Sequence, residues 1–439
     1  MAEPLRIALA GLGTVGAGVI RLLATNAELV RARAGGEIRI VAVSARDRDR
    51  DRGVDLTAFE WCDDMAAMAA RDDIDAVVEM VGGADGPALT LARAAIREGK
   101  ALVTANKAMI AHHGLALAQA AEAAGVPLKF EAAVAGGIPV IKGLREGAAA
   151  NAIARVQGIL NGTCNFILST MEDTGRDFAD VLAEAQARGF AEADPKLDIE
   201  GIDAGHKLAI LAAIAFGAKL DFAHVSCEGI GRVRAADIAR ARDLGFVIRL
   251  VGEADIEGEP HRLLQRVRPC LVPDGHPLAH VDGPTNAIVA EGNFSGRLLF
   301  QGAGAGDGPT ASAVVADLID IARGEAGQPF SVPAAELAAM EPAEPGDRTG
   351  RTYVRFTVAD RPGVLAEITA AMRDAEVSIE SLIQQGEAVN AESGAEAGDV
   401  LVAMVTHEGP ERCVDTALRL LEGSPSLTAP PLVMPILEA

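Results

Sequence analysis

The chain has 439 residues, of which 49% are hydrophobic and 23% charged. That length accommodates about three domains, and the composition is typical of a globular protein with a large core. Its formal net charge is −22. Because nucleic acids and anionic membrane surfaces are themselves negative, this charge argues against both, and we expect no nucleic-acid partner and no membrane partner.

Apolar stretches and cysteines favour an intracellular protein. No apolar run approaches the ~20 residues of a spanning helix. Near the N-terminus, Arg6 interrupts an apolar run that predicts a strand rather than a signal peptide. The cysteines are scattered, odd in number and without CxxC spacing. This usage excludes a cysteine-based zinc site and predicts a reducing, cytoplasmic location.

The first predicted elements are a strand at 5–10 and a helix, joined by GLGTVG. In GxGxxG, Gly11 allows the tight turn, Gly13 lets a pyrophosphate approach the backbone, and Gly16 lets the helix pack on the strand. The alternative is a glycine-rich turn without a ligand. The context favours a dinucleotide site at the helix N-terminus. It comprises Gly11, Gly13, Thr14, Val15 and Gly16.

The end of the second predicted strand, 38–43, bears on the choice of cofactor. NAD-specific sites usually carry Asp or Glu there, but this strand ends in Ser44-Ala45-Arg46. An arginine can pair with the 2′-phosphate of NADP, so Arg46 favours NADP over NAD. The alternative is that 46–52, with its alternating charges, is a solvated loop, and the sequence leaves both open.

Further strands at 75–83, 101–107 and 127–137 alternate with helical stretches. This alternation predicts a doubly wound parallel sheet, so residues 1–140 form a Rossmann-like NAD(P)-binding domain. Ligands of such sheets bind at the carboxyl ends of the strands. Gly82, Gly83 and Lys107 fall at such ends and are predicted to contact the cofactor, although a surface lysine after a strand is also common.

The densest cluster of acids lies in GFAEADPKLDIEGIDAGHK, at 189–207. If a helix begins at Ile202, Asp203 and Lys207 lie four apart on one face, at the edge of a buried apolar run. They are either a partly buried ion pair or catalytic groups. With Glu192 and Asp198 nearby, the segment predicts a pocket that orients a polar, cationic substrate.

The remaining chain is predicted to form two more domains. Residues 141–333 mix strands and helices and predict an α+β catalytic and dimerisation domain. Residues 334–348 are rich in acids and prolines and predict a linker. Residues 349–439 read as a βαββαβ unit in which DRPGVL opens the first helix.

Several motifs, in order, resemble the homoserine dehydrogenase family over residues 5 to 330. They are GLGTVGAGV (11–19), TANKA (104–108), EAAVAGGIPV (131–140), GILNGTCNFILSTM (158–171), GFAEADPKLDIEGIDAGHKLAIL (189–211) and GAGAGDGPTASAVVADL (302–318). The resemblance implies NAD(P)H-dependent, reversible reduction of L-aspartate 4-semialdehyde to L-homoserine, on the route to threonine, methionine and isoleucine.

Matched position by position, the resemblance implies roles for individual residues. Lys207 matches a proton donor, and Lys107 a second active-site lysine that contacts substrate and cofactor. Asp203 and Glu192 match substrate-binding carboxylates, and Asp198 an acid that shapes the same pocket. The remaining matches are cofactor contacts, Gly189 and Gly306, and a sodium-ion loop, with ligands from Glu131 and the carbonyls of Val134, Gly136 and Ile138. Oxygen ligands suit a hard cation.

The C-terminal βαββαβ order resembles an ACT domain. Such domains commonly bind amino acids at a shared interface and regulate the attached enzyme. The resemblance implies a homodimer or homotetramer and makes threonine, as an end product, the expected effector. The alternative is a domain that serves only oligomerisation.

Two rival functions remain at this level. The first is a phosphorylating aldehyde dehydrogenase with Cys164 as thiol nucleophile. It leaves the acidic segment unexplained, and no histidine lies close to Cys164 in the sequence. The second is a cofactor-binding regulatory protein without catalysis, against which Asp203 and Lys207 argue.

Overall fold

The computed structural model describes residues 3–258, 260–385 and 399–438. Its first sheet is parallel, with the order β3-β2-β1-β4-β5-β6. The strands are β1 Leu5–Ala10, β2 Ile38–Ser44, β3 Glu60–Trp61, β4 Ala76–Glu79, β5 Ala101–Thr104 and β6 Leu128–Lys129. Because the strand order reverses direction at β1, this is the predicted doubly wound sheet.

Helices cover both faces of this sheet. They are α1 Thr14–Thr25, α2 Ala27–Ala34, α3 Pro87–Arg97 and α4 Lys107–Ala124, with α11 Asp307–Ala322 returning from later in the chain. Along β1, Ile7 and Leu9 join the hydrophobic cluster that includes residues of α1 and α11. Ala8 and Ala10 face the opposite cluster with residues of α3 and α4. The alternation follows the two-residue period of a strand.

The strand predicted over 127–137 is wrong in extent. Only Leu128 and Lys129 form β6, and Glu131–Ala133 form a 3₁₀ turn. The backbone N–H of Glu131 bonds to the Asp317 carboxylate at 2.9 Å. Ala135 and Gly136 both have positive φ, +55° and +49°, which an extended strand does not allow. The chain therefore leaves the sheet at this point.

The second sheet is mainly antiparallel and follows the order β12-β11-β7-β9-β10-β18-β14-β16-β15. Short strands β8 and β13 pair with β10, and β17 pairs with β14. The strands are β7 Ile153–Ile159, β8 Ser226–Cys227, β9 Phe246–Glu257, β10 Arg262–Pro273, β11 Thr285–Gly292, β12 Gly296–Ala303, β13 Glu341–Pro342, β14 Thr349–Ala359, β15 Ile379–Gln385, β16 Asp399–Thr406, β17 Gly409–Pro410 and β18 Leu427–Ile436.

Further helices accompany this second sheet. They are α5 Val140–Lys142, α6 Gly162–Thr174, α7 Phe178–Ala187, α8 Lys196–Ile199, α9 Ile202–Phe216, α10 Ala235–Asp243, α12 Val364–Asp374 and α13 Glu411–Leu420. As predicted, α9 starts at Ile202. It ends before Gly217, whose φ of +61° ends the helix. Among the helices in the described ranges, none combines the length and apolarity needed to cross a bilayer.

The C-terminal unit confirms the predicted βαββαβ order, in which β14, α12, β15, β16, α13 and β18 follow one another. Residues 386–398, which fall within the predicted βαββαβ unit, lie outside the described residues. The sheet of this unit continues that of the preceding one, because Leu271 of β10 pairs with Ile436 of β18.

The predicted domain boundaries stay predictions, but the segment 334–348 is closely packed. Ala334 and Leu337 are buried. The backbone of Ala338 exchanges hydrogen bonds with Gly217 (2.8 Å) and Lys219 (2.9 Å), and the N–H of Ala343 bonds to the Leu263 carbonyl at 3.0 Å. These contacts tie the segment to the core along its length.

Candidate active site

A cavity of about 1160 Å³ lies between the two sheets. The start of α1 reaches it at Val15, and Lys107 reaches it from the first turn of α4. From the other side come residues of α9 and of the loop that precedes α11. The cavity therefore connects the glycine loop with the acidic segment, although these are about two hundred residues apart.

Two lysines in this cavity share one carboxylate. Lys107 Nζ lies 2.9 Å from Asp203 Oδ1, and Lys207 Nζ lies 2.8 Å from Asp203 Oδ2. Lys207 Nζ also donates to the Leu160 carbonyl at 2.6 Å. An ammonium has three N–H donors. Within the described residues Lys207 has these two acceptors only, which leaves one donor for a ligand.

Asn161 bridges the carboxylates of Asp198 and Asp203. Its Nδ2 donates to Asp198 at 2.7 Å and to Asp203 at 3.0 Å. Its Oδ1 accepts from the backbone N–H of Cys164 at 2.8 Å and caps α6. One side chain therefore starts a helix and spaces two acids.

The electrostatics of the group follow from burial and pairing. Burial by itself raises the pKa of Asp203, but the nearby ammonium groups of Lys207 and Lys107 outweigh it and hold that pKa below its usual range. In turn, the Asp203 carboxylate raises the pKa of Lys107. Burial raises the pKa of Asp198. Asp203 is thus held as an anion between two cations.

The three loop glycines differ in what surrounds them. A Cβ on Gly11 would lie 2.4 Å from the Met80 carbonyl oxygen, and one on Gly16 would lie 2.0 Å from that of Gly11. A Cβ on Gly13 would meet nothing within 4 Å. No side chain caps the N-terminus of α1. These features fit a dinucleotide, since an open backbone at a helix N-terminus accommodates a pyrophosphate.

The end of β2 carries no carboxylate. Ser44 is buried and its carbonyl accepts from the N–H of Gly11 at 2.8 Å. Arg46 is exposed, and no hydrogen bond or ion pair involves its side chain in the described part of the chain. Arg52 instead donates to the Leu12 carbonyl at 3.0 Å and to that of Asp47. The segment 46–52 is therefore anchored to the glycine loop.

The predicted sodium loop presents oxygen atoms. Glu131 is buried and accepts from the backbone N–H groups of Ile141 (3.0 Å) and Lys142 (2.9 Å). The carbonyl of Ile138 accepts from the N–H of Val140 at 2.7 Å. The donor set of one carboxylate and carbonyls fits a hard cation, because each oxygen retains a further lone pair.

The cavity brings together many, but not all, of the predicted residues. Those lining it are Val15, Lys107, Gly136, Gly189, Glu192, Asp198, Asp203, Lys207 and Gly306. Those outside its lining are Gly11, Gly13, Thr14, Gly16, Arg46, Gly82, Gly83, Glu131, Val134 and Ile138. Most of the second group belong to the glycine loop, the strand ends or the sodium loop.

Sequence reasoning missed three supporting residues. Asn161 could have been found as a helix cap, because Asn-Gly-Thr precedes an apolar helix. Asn286 lines the cavity from β11, where a polar residue in an apolar strand was the only signal. Glu79 is buried at the end of β4 and accepts from Thr104 Oγ1 (2.6 Å) and from the N–H of Gly82 (3.1 Å).

Comparisons with known proteins identify the family of this chain. The family model described as homoserine dehydrogenase matches residues 139–319, that of its NAD-binding domain matches 11–131, and the ACT domain matches 352–405. The homoserine dehydrogenase of Neisseria gonorrhoeae is 44% identical over 429 residues, covering 96% of this chain and 95% of that protein. The chain belongs to the homoserine dehydrogenase family.

Solved structures agree with this assignment. A homoserine dehydrogenase from Thiobacillus denitrificans is 40% identical, covers 99% of both chains and superposes with a TM-score of 0.91. A hyperthermophilic archaeal homoserine dehydrogenase in complex with NADPH is 26% identical, with a TM-score of 0.60, covering 72% of this chain and 97% of that one. As a member of the homoserine dehydrogenase family, the chain is an NAD(P)-dependent oxidoreductase with an ACT domain.

Membership of the homoserine dehydrogenase family removes the rival functions. Cys164 is fully buried, and burial raises the pKa of its thiol well above the usual value. Its Sγ lies 3.1 Å from the Asp198 carbonyl. A buried, protonated thiol is a poor nucleophile, so the thiol mechanism has no support.

Proposed function

We propose that Lys207 is the proton donor in the reduction of L-aspartate 4-semialdehyde to L-homoserine, a reversible step toward threonine, methionine and isoleucine. One observation carries this assignment. The Lys207 ammonium is fixed by two acceptors, Leu160 O and Asp203, and keeps one N–H donor at the cavity.

The two lysines are suited to stabilise the negative charge that develops in this reaction. Bound NAD(P)H supplies a hydride, whose addition to an aldehyde builds negative charge on the carbonyl oxygen. Lys207 stabilises that charge and delivers the proton, and Lys107 adds a second positive charge. Asp203 pairs with both lysines and holds them in place, and its carboxylate raises the pKa of Lys107. Proton donation leaves Lys207 as a neutral amine, and in the reverse direction this amine takes the proton from the homoserine hydroxyl.

Two further acids recognise the substrate. Its α-ammonium group is cationic, and Glu192 and Asp198 line the same cavity as the lysines. Asn161 occupies one oxygen of Asp198 and leaves the other for a ligand. These carboxylates hold the amino-acid end while the aldehyde lies at Lys207.

Replacement of Lys207 tests the assignment. Lys207→Ala should lower kcat by about 10²–10⁴-fold, the usual contribution of a general acid. The dissociation constant for NADPH, measured by fluorescence, should change little, because the glycine loop lies apart from this lysine. Lys207→Arg should not restore activity fully, since a guanidinium gives up a proton poorly.

Lys196→Ala is the matched control, because this lysine is exposed on α8 and its side chain makes, within the described ranges, a single ion pair, at 3.8 Å to Glu200. Its kcat should equal that of the wild type. A folded Lys207→Ala enzyme with kcat within threefold of wild type would contradict the proposal and transfer the role to Lys107.

The cofactor proposal is NADP in preference to NAD. It rests on the absence of an acid at the end of β2, on the exposed Arg46 side chain and on the archaeal relative bound to NADPH. The glycine loop would hold the pyrophosphate, with Gly82, Gly83, Gly189 and Gly306 as further contacts.

Sodium is proposed as the ligand of the loop formed by Glu131 and the carbonyls of Val134, Gly136 and Ile138. Support comes from the oxygen-only donor set. The test is the line broadening of the sodium-23 NMR signal when sodium is added to protein that has been dialysed into an organic-cation buffer. A Glu131→Gln variant with the same line broadening as wild type would refute the assignment.

Regulation by threonine through the ACT domain is part of this proposal: a chain of contacts supports the coupling of that domain to the site, and threonine as the effector rests on the family resemblance. Arg348 donates to Glu253 at 2.7 Å, and Gln157 of β7 donates to the same Glu253 oxygen at 2.9 Å. β7 leads directly to Leu160 and Asn161. Rates measured with and without millimolar threonine test this proposal.

The oligomeric state is proposed to be a homodimer or homotetramer, and light scattering tests it. The cytoplasmic location stays a prediction.

A further inference from the structure

Asn286 shares the acceptor that holds Lys207. Its side chain projects from β11, is only 1% exposed and lines the cavity. Asn286 Nδ2 donates to the Leu160 carbonyl at 2.9 Å, and Lys207 Nζ donates to the same oxygen at 2.6 Å. One carbonyl thus links a strand residue with the lysine at the cavity.

The packing around Asn286 holds its amide in one place. A Cβ on Gly304 would lie 2.1 Å from Asn286 Cγ, so only a glycine fits there. A Cβ on Gly162 would lie 3.4 Å from Asn286 Oδ1. The amide is therefore enclosed between the loop that begins α6 and the loop that precedes α11.

The other end of the amide has no partner. Asn286 Oδ1 is buried and accepts no hydrogen bond among the described residues. A buried, unpaired carbonyl oxygen is unfavourable, and a leucine of similar shape would avoid it. The stability of the fold therefore does not require an asparagine at this position. What an asparagine provides, and a leucine would not, is the hydrogen bond from Nδ2 to the Leu160 carbonyl.

We propose that Asn286 is a positioning residue that aims Lys207 at the substrate oxygen, an inference that rests on the proposed role of Lys207. A carbonyl oxygen has two lone pairs. Asn286 occupies one and confines the Lys207 ammonium to the other. With Asp203 as the second fixed acceptor, the third N–H of Lys207 takes one direction.

Asn286→Leu removes the donor and keeps the approximate shape. Misdirecting a general acid should forfeit part of its 10²–10⁴-fold contribution, and we expect kcat to fall about tenfold. KM for homoserine and the dissociation constant for NADPH should stay within twofold. The solvent deuterium isotope effect on kcat should rise, because proton transfer becomes slower relative to the other steps.

Gln265→Met is the matched control. Gln265 is also buried, its Nε2 donates to the Asp221 carbonyl at 3.1 Å, and its Oε1 lacks a partner among the described residues. It does not line the cavity. This variant should keep the wild-type kcat and isotope effect even if its melting temperature changes. Equal loss of kcat in both variants would overturn the proposal.

A double-mutant cycle separates this inference from the proposed function. If Asn286 acts through Lys207, Asn286→Leu should change kcat by less than twofold in a Lys207→Ala background. A full tenfold effect in that background would overturn the positioning role while leaving Lys207 as proton donor. If Lys207→Ala alone keeps its activity, the proposed function fails first.

Asn286→Ala serves if the leucine variant does not fold. It removes the same donor without adding bulk, so the same rise in isotope effect and the same dependence on Lys207 are expected. A folded Asn286→Ala enzyme with wild-type kcat and isotope effect would refute the proposal.

Discussion

Two partly buried charge clusters in this chain look alike but differ in what they border. The cluster of the proposed active site comprises Lys107, Asp203 and Lys207. The junction cluster lies where the ACT domain meets β9 and β10. It comprises Arg155, Glu253, Asp255, Arg266, Arg348 and Glu411. Only the first lines the cavity. Burial and pairing alone therefore do not identify catalytic charges.

The clusters also differ in how their donors are used. At the junction, Arg266 donates from Nε to Glu253 at 2.9 Å and from NH1 to both oxygens of Glu411, at 2.9 and 3.0 Å. A planar guanidinium suits such fixed, multiple pairing. In the active site, Lys207 keeps a donor for a ligand. We infer that a donor left free at a cavity distinguishes function from structure.

The largest expected effect is on stability at the junction. Arg266→Met leaves Glu253 and Glu411 buried with fewer partners, and losing one member of a buried pair typically costs 3–5 kcal/mol. The free energy of unfolding in urea should fall by about that amount, with kcat at 20 °C within threefold of wild type. A tenfold loss of kcat in the folded variant would place the junction on the functional side.

Asp203→Asn should do the opposite. The two lysines lose the anion that orients them and stabilises their charge, so kcat should fall by about 10²–10³-fold, as when one preorganised electrostatic group is removed. The melting temperature should fall less than for Arg266→Met, because Lys107 is 38% exposed and can be solvated, and Lys207, although only 9% exposed, keeps the Leu160 carbonyl as an acceptor. Loss of stability without loss of kcat would make this cluster structural as well.

The sequence allowed the first cluster to be predicted in part and the second not at all. Asp203 and Lys207 are four apart on one helix, so their contact follows from helical periodicity. Arg266 and Glu411 are 145 positions apart, and their pairing depends on how the ACT sheet joins β10. Local patterns carry no information about such a contact.

The same limit applied to the supporting residues. The glycine loop could be predicted because strand, turn and helix are adjacent in the sequence. The link between Asn286 and Leu160 could not, because it depends on the pairing of β11 with β7. The strand predicted over 127–137 failed because its apolar pattern hides the turn at Ala135 and Gly136.

His206 extends the comparison to pH. It neighbours Lys207 on α9, with ring centroids 5.4 Å from His112 and 4.2 Å from Phe222. Burial, and then His112, lower its pKa from 6.5 to about 4. The unfolded chain then binds the proton more tightly than the folded one, so the stability that a neutral His206 provides is lost as pH falls from 6.5 to 4.

His206→Phe should remove that dependence. Allowing for partial exposure, the free energy of unfolding should fall by about 2 kcal/mol less between pH 7 and pH 4 than in wild type. His261→Gln is the control, since His261 is exposed between β9 and β10. Guanidinium unfolding at both pH values measures the difference, and parallel curves for wild type and His206→Phe would contradict it.

The smallest expected effect concerns Arg46. Arg52 and Arg46 differ in the same way as the two clusters, in whether their donors are used within the protein. Arg52 uses its donors on the carbonyls of Leu12, Asp47 and Arg50, as a structural residue does. Arg46 has no hydrogen-bond partner among the described residues, and it lies beside the strand end where a ribose phosphate would lie. If free donors mark function, Arg46→Ala should lower the NADPH-to-NADH ratio of kcat/KM about tenfold, as expected for one charged hydrogen bond partly screened by water.

Arg48→Ala is the control. Arg48 lies in the same loop with its guanidinium 5.7 Å from the Trp61 ring, and its replacement should change that ratio less than twofold. A wild-type enzyme that favours NADH tenfold, or an Arg46→Ala variant with an unaltered ratio, would show that a free donor outside the cavity does not identify a binding residue.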